Sequence, residues 1–250
     1  MITFLSDFGL HEHYVAVVKA EIIHRLPQQY ILDISHSVNM GNIVQAAYLL
    51  KSVYPYCPKG SVHIAAVGTN FVERHLLVTY RDQYFIGPDN GIFSLCFDNE
   101  TTAVYYDLEV ANKNSFPTYD IYAKTVVALV NEGMPHLNEN TSYTRKIGRQ
   151  PVFQNGVIRG HIIYVEQQGN LITNIRKDYF LEKTADKKFS VNFEYEKIRR
   201  ISTTYQDVDY GDCVVFFNSN NLMEIAINHG NAAELLGMKY DSPVNVFIRE

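Results

Sequence analysis

Polar and ionisable residues follow apolar runs at four places in the first half of this 250-residue chain. They are Ser6-Asp7-Phe8-Gly9, Asp33-Ile34-Ser35-His36, Gly68-Thr69-Asn70 and Phe116-Pro117-Thr118-Tyr119-Asp120. If the strands before them run parallel, their carboxyl ends gather these stretches at one edge, where such sheets bind ligands. Asp7 has the chemistry to hold a ribose diol, since a carboxylate accepts hydrogen bonds from both hydroxyls. It fits a helix N-cap equally well. His36 reads first as a structural histidine, and Asp33 as a cap or local partner. A metal site built on the two is weak, because no second His stands at a ligand-like spacing. The third stretch runs on into Glu73-Arg74-His75. On a strand Glu73 and His75 would share one face and Arg74 the other. The row therefore reads as solvated strand-edge charge, with a Glu73–His75 pair as the catalytic alternative. Asp89-Asn90-Gly91 reads first as a tight turn.

In the second half, the polar run Glu166-Gln167-Gln168-Gly169-Asn170 precedes Leu171-Ile172-Thr173-Asn174. It reads as a hairpin with Gly169 at positive φ. The functional alternative is a site in which Asn170 reads a base edge and Glu166 holds an ammonium group. Asn218-Ser219-Asn220-Asn221 reads as a turn.

The elements that must position these groups follow from periodicity. Over residues 1–130, strand candidates at Met1–Ser6, Tyr30–Ile34, Val62–Val67, Leu76–Thr79 and Tyr84–Ile86 alternate with helical spacing. The helical segments are His13–Arg25, Ile43–Val53 and Ile121–Asn131. Such alternation predicts an α/β fold, a mostly parallel sheet with helices on both faces. From about residue 150 short strands dominate, at Val157–Val165, Leu171–Ile175, Phe189–Phe193, Val214–Asn218, Met223–Ile227 and Val244–Ile248. Only Ala232–Leu236 has helical spacing there, so a small antiparallel β-barrel or sandwich is expected. Two domains are expected, 1–145 and 151–250, with the boundary in the polar stretch Asn138–Val152.

Composition narrows the function classes. Hydrophobic residues make up 46% and charged residues 20%, which suits a globular protein. A net charge of −5 disfavours nonspecific binding to nucleic acid or anionic membrane. No run of about 18 apolar residues is present to span a bilayer. The start, MITFLSDFG, lacks the pattern of a signal peptide. Cys57, Cys96 and Cys213 stand far apart in no ligand spacing, and with that start they suggest a reducing cytoplasm.

Five stretches in order carry a resemblance: S-D-F-G at 6–9, D-I-S-H at 33–36, G-P-D-N-G-I at 87–92, G-N-L-I-T-N-I at 169–175 and E-I-A-I-N-H-G-N-A-A-E-L-L-G at 224–237. Together they resemble the adenosine-forming S-adenosyl-L-methionine hydrolases, relatives of the fluorinase and chlorinase enzymes, over nearly the whole chain. The resemblance implies an N-terminal α/β domain, a C-terminal antiparallel β domain and a homotrimer with nucleoside sites between neighbouring subunits. Asp7 would hold the ribose hydroxyls, and Thr118 takes the place of a small hydroxyl residue. Glu166 matches an acidic position near the methionine end, and Gly169 and Asn170 match the adenine side. Ser219, Asn220 and Asn228 fall on the C-terminal segment that also lines the ligand.

The chemistry implied is attack at ribose C5′ with methionine leaving as a neutral thioether. The sulfonium is its own activated leaving group, so no metal or cofactor is implied, and S-adenosylmethionine is substrate or ligand. Hydrolases of this family carry an Asp, an Arg and a His that handle the attacking water. Here the loop after the third strand is the shorter Val67-Gly68-Thr69-Asn70-Phe71, without the Asp, and Pro117 stands at the His position. Arg74 is the candidate for the Arg. A hydrolase with altered catalytic groups is the first expectation. A non-catalytic S-adenosylmethionine-binding trimer for sensing or sequestration is the second, and a halide-dependent adenosyl transferase using Thr118 and the Gly68-Thr69-Asn70 backbone the third.

Overall fold

Strand β1 (Ile2–Ser6) is buried along its whole length, as a strand inside a helix-covered parallel sheet must be. The computed structural model describes residues 1–97, 102–109, 115–185 and 187–249. They form two compact units, Met1–Gly148 and Arg149–Glu250. In the first unit β1 is flanked in parallel by β2 (Ile31–Ser35) and β3 (Val62–Ala66), with Ile2 opposite both Ile31 and Val62. Next come β4 (His75–Tyr80), β5 (Gln83–Pro88) and β6 (Val104–Leu108), giving the order β2-β1-β3-β5-β4-β6. Strand β5 is parallel to β3, whereas β4 pairs antiparallel with both β5 and β6. The reversal comes from a two-residue hairpin turn with Arg81 at φ 51° and Asp82 at φ 59°. Two successive positive φ values twist the chain back as paired strands require.

Helices α1 (Tyr14–Arg25), α2 (Ile43–Val53), α3 (Ile92–Cys96) and α4 (Lys124–Glu132) cover this sheet. Val18, Ile22 and Val126 pack on one face against Phe4 and Ile64. Ala46, Leu50 and Phe93 pack on the other against Leu5 and Phe85. Helix α2 starts where the Asn42 side chain accepts a hydrogen bond from the Gln45 N–H at 3.0 Å. A π-helical turn, Thr118–Ala123, precedes α4, so this helical segment starts before the expected Ile121.

The central strands are also tied by a buried polar chain. The His63 ring nitrogens lie 2.8 Å from Thr3 Oγ1 and 3.0 Å from Gln83 Oε1. The Gln83 amide donates to the Tyr54 and Cys57 carbonyls, which leaves its oxygen to accept. His63 therefore donates from Nε2 and accepts at Nδ1 from the Thr3 hydroxyl. One imidazole thus pins β1, β3 and β5 side by side.

The second unit contains β7 (Val152–Gln154), β8 (Val157–Val165), β9 (Leu171–Arg176), β10 (Lys188–Phe193), β11 (Glu196–Ile198), β12 (Cys213–Phe217), β13 (Leu222–Ile227) and β14 (Pro243–Arg249). All pairings are antiparallel in the order β11-β10-β14-β8-β9-β13-β12, with β7 on β8. The end strands β11 and β12 approach one another, so the barrel is nearly closed around Ile158, Ile162, Ile175, Val215 and Val246.

One expectation is overturned here. Besides α6 (Ala232–Leu236), the unit holds a second helix, α5 (Lys177–Thr184). Of its eight residues only Phe180 and Thr184 are buried, too thin a stripe to register as periodicity. The elements α3, β6, β7 and β11, three to five residues each, are too brief for periodicity to register. No helix among the described residues is long and apolar enough to cross a membrane.

Candidate functional site

At the carboxyl end of β1, Asp7 is part-buried and its carboxylate is held from two directions. Its Oδ2 accepts hydrogen bonds from the Gly41 N–H at 2.8 Å and the Gly68 N–H at 2.9 Å. Both glycines have positive φ, 66° and 67°. A Cβ on Gly41 would meet the Phe71 ring at 2.9 Å, and one on Gly68 would stand 3.3 Å from both Phe71 and Asn90. Glycine is required where the backbone turns this sharply toward a side chain. Asn90 closes the clamp from behind by donating to the Val67 carbonyl at 2.9 Å. Asp7 is therefore no helix cap. Its Oδ2 is engaged by both glycines, and Oδ1, outside those two hydrogen bonds, can accept from a hydroxyl donor.

This arrangement explains the loop after β3. Gly68-Thr69-Asn70 makes a short helical turn, Thr69–Phe71, and the Gly68 N–H that leads into it serves Asp7. That N–H is correspondingly not free for an attacking anion. Beyond it Glu73, Arg74 and His75 go three ways. Glu73 is exposed ahead of β4. Arg74 lies 3.4 Å from both Asp89 and Asp107 and donates to the Ser142 carbonyl at 3.2 Å. Asp89 is buried and also accepts from the Thr144 N–H at 2.6 Å. Arg74 thus fastens the 140–144 segment to the end of the sheet. His75 is buried, with Nδ1 at 2.7 Å from the Tyr122 hydroxyl. Burial lowers its pKa and raises that of Tyr122. The structure does not assemble the Glu73–His75 pair.

Asp33 and His36 are occupied by their neighbours. His36 Nδ1 lies 2.8 Å from Ser6 Oγ, and Nε2 lies 3.2 Å from Asp33 Oδ1. Burial opposes ionisation of Asp33, but the Lys19 ammonium at 2.7 Å and His36 outweigh it and hold the pKa low. No cluster of three or more metal-ligating side chains occurs among the described residues.

Thr118 opens the π-helical turn, fully buried, with Oγ1 lacking a hydrogen-bond partner. Such turns concentrate at functional sites, and a buried hydroxyl without a partner needs an explanation. Its neighbour Phe116 packs 5.9 Å from Phe8 and 5.2 Å from Tyr14, centroid to centroid. Since Phe8 follows Asp7, the aromatic contact brings Thr118 and Asp7 to the same end of the sheet.

The second unit carries its own cleft of about 640 Å³, bordered by Asn170, Tyr205, Asn228, His229 and Asn231 among others. Gly169 sits at φ 89° behind it, and a Cβ there would strike Asn231 Oδ1. That oxygen caps α6 by accepting from the Glu234 N–H at 3.1 Å. Asn170 Nδ2 donates to Glu166 Oε2 at 3.2 Å and to the Tyr205 hydroxyl oxygen at 3.1 Å. The Tyr205 hydroxyl donates in turn to Glu224 Oε1 at 2.8 Å. Burial and the nearby Glu166 charge raise the Glu224 pKa, with hydrogen bonds from Tyr205 and Asn218 opposing. The pKa of the Tyr205 hydroxyl is raised by burial and by Glu224. Asn228 donates to the Val208 carbonyl at 2.9 Å.

Glu166, Gly169, Asn170 and Asn228 are thus gathered at one place. Ser219 and Asn220 are not. They form the turn of the β12–β13 hairpin, where Asn221 N–H donates to the Asn218 carbonyl, at the end remote from Asn228. Gly41, Tyr205 and Glu224 were not foreseen. Glu224 alone left a visible trace, a lone acid inside the apolar strand Leu222–Ile227.

Family models described as the SAM hydroxide adenosyltransferase N-terminal and C-terminal domains match residues 2–138 and 160–245. The chain is 30% identical to the (R)-S-adenosyl-L-methionine hydrolase of Thermus thermophilus, covering 97% of this chain and 98% of the relative. It is 28% identical to the protein of the same name from Methanocaldococcus jannaschii, covering 98% and 95%. A crystal structure of an uncharacterized conserved protein from Thermotoga maritima is 30% identical, with a TM-score of 0.87 over 99% of this chain and 100% of that one.

Proposed function

The chain belongs to the SAM hydroxide adenosyltransferase family, and from that premise we propose that it hydrolyses S-adenosyl-L-methionine to adenosine and methionine. Water oxygen attacks ribose C5′, the C5′–S bond breaks, and its electron pair returns to sulfur. Methionine leaves as a neutral thioether, and the proton of the attacking water passes to solvent or a nearby base. The sulfonium needs no further activation, so the protein's task is to position the nucleoside and partly desolvate the line of attack.

The clamped carboxylate of Asp7 supports this reading most directly. It is a prearranged acceptor for the ribose hydroxyls, at the sheet edge where parallel strands present ligands. Thr118 supplies a hydroxyl without a partner at the same end. In the second unit, Asn170 and Asn228 take the adenine side, and Glu166 the ammonium of the methionine. Exposed Leu10, Tyr14, Met40 and Phe71 surround the Asp7 end with apolar surface, which fits burial against a neighbouring subunit. In this reading the working protein is a homotrimer whose site pairs Asp7 of one chain with Asn170 of another, in a reducing cytoplasm that keeps its three cysteines free.

Arg74 and His75 are both taken up in the fold, and this observation favours a second reading, retention of S-adenosylmethionine without turnover. Loss of general-base assistance costs about 10²–10⁴-fold in rate, so slow hydrolysis is the expected behaviour. The test is a chromatographic time course with S-adenosylmethionine. Adenosine should form with wild type and fall to background with Asp7→Ala. Binding by calorimetry without adenosine would support the second reading, and no binding at all would remove both.

A further inference from the structure

We infer that Tyr205 and Glu224 are positioning residues that lock the Asn170 amide with its oxygen toward the cleft, so that the site selects 6-amino over 6-oxo purines. This deepens the nucleoside reading above and rests on it.

The directions of the hydrogen bonds are forced in sequence. Glu224 lies mid-strand in β13, 2% exposed, and presents Oε1 as an acceptor 2.8 Å from the Tyr205 hydroxyl. The Tyr205 hydroxyl donates to it. Its single proton is then used, and toward Asn170 at 3.1 Å the phenol oxygen is an acceptor. One amide hydrogen of Asn170 answers that acceptor, and the other answers the Glu166 carboxylate at 3.2 Å. Two carboxylates thus pull both hydrogens of one amide to the acidic side. The backbone cannot swing away, because the Asn170 carbonyl accepts from the Glu166 N–H at 2.9 Å. What remains for a ligand is Asn170 Oδ1, an acceptor at the border of the cleft. An exocyclic amino group satisfies it, and a ring carbonyl meets it oxygen to oxygen.

The lock needs Glu224 Oε1 as the acceptor of the Tyr205 proton. Replacing Glu224 with Gln offers an amide N–H to Tyr205, whose proton is then free to turn toward Asn170 and reverse the amide.

The experiment is calorimetric titration of the full chain with adenosine and with inosine, for wild type, Glu224→Gln and Tyr205→Phe. Wild type should prefer adenosine by about 10–100-fold, the discrimination a single well-placed polar contact provides. Both variants should move that ratio toward unity. A merely structural role would weaken both nucleosides alike and keep the ratio, which would overturn the inference. Equal binding of the two by wild type would overturn it as well. Binding of neither by wild type would remove the nucleoside reading itself, and this inference with it. If Glu224→Gln does not fold, Tyr205→Phe, at an exposed loop position, carries the same comparison.

Discussion

Arg74 shows how a residue of catalytic type is absorbed by structure. Its guanidinium faces Asp89 and Asp107 and holds the Ser142 carbonyl, so removing it leaves the buried Asp89 short of a cation. Because the arginine itself is half exposed, the loss is modest. Arg74→Ala should cost about 1–2 kcal/mol of unfolding free energy in urea, with adenosine formation per folded molecule unchanged. A variant as stable as wild type but without turnover would return Arg74 to the chemistry. Asp7 is the opposite case. Its residue type suggested a diol acceptor, but a cap was an equal reading until two backbone N–H groups were seen to hold it. Those donors lie 34 and 61 residues along the chain, beyond any local pattern. Glu166 and Asn170 were legible because they stand four apart in one loop. Tyr205 and Glu224, which set their geometry, were not.

At the scale of elements, the three central strands depend on the protonation of one ring. Burial, partly offset by the Gln83 hydrogen bond, pushes the His63 pKa from 6.5 down to about 4. Above pH 6.5 the ring is neutral in folded and unfolded chains alike and contributes no pH dependence. Below 6.5 the unfolded chain takes up a proton that the folded chain refuses, so stability falls until about pH 4 and then levels. The difference corresponds to about 3 kcal/mol. Denaturation midpoints measured from pH 7.5 to 4 should show this decline, and His63→Gln should flatten it. An unchanged slope in the variant would assign the acid sensitivity elsewhere. Element type was legible wherever apolar periodicity was strong, as in α2, whose bounds agree with the expected Ile43–Val53. It was lost in α5, where two buried residues in eight leave no pattern.

At the scale of the whole molecule, the proposed trimer makes a prediction no single chain can satisfy. Asp7→Ala and Asn170→Ala should each abolish adenosine formation. Co-expressed in equal amounts, they should recover about a quarter of wild-type activity, because one site in four draws both intact residues from neighbouring chains. No recovery would mean that each chain builds its own site or that the chains do not associate. The amino-acid sequence by itself determined the two-part organisation, the alternation of strands and helices in the first half, and the ordered motifs that mark the family. These are matters of local pattern, set by side-chain periodicity within a few residues. Only the tertiary structure decided which of those residues meet. It gave Asp7 its clamp, took Arg74 and His75 into the fold, set Ser219 and Asn220 apart from Asn228, and placed Glu224 behind Asn170. Such contacts join residues tens of positions apart through hydrogen-bond directions, and direction is a property of the folded chain alone.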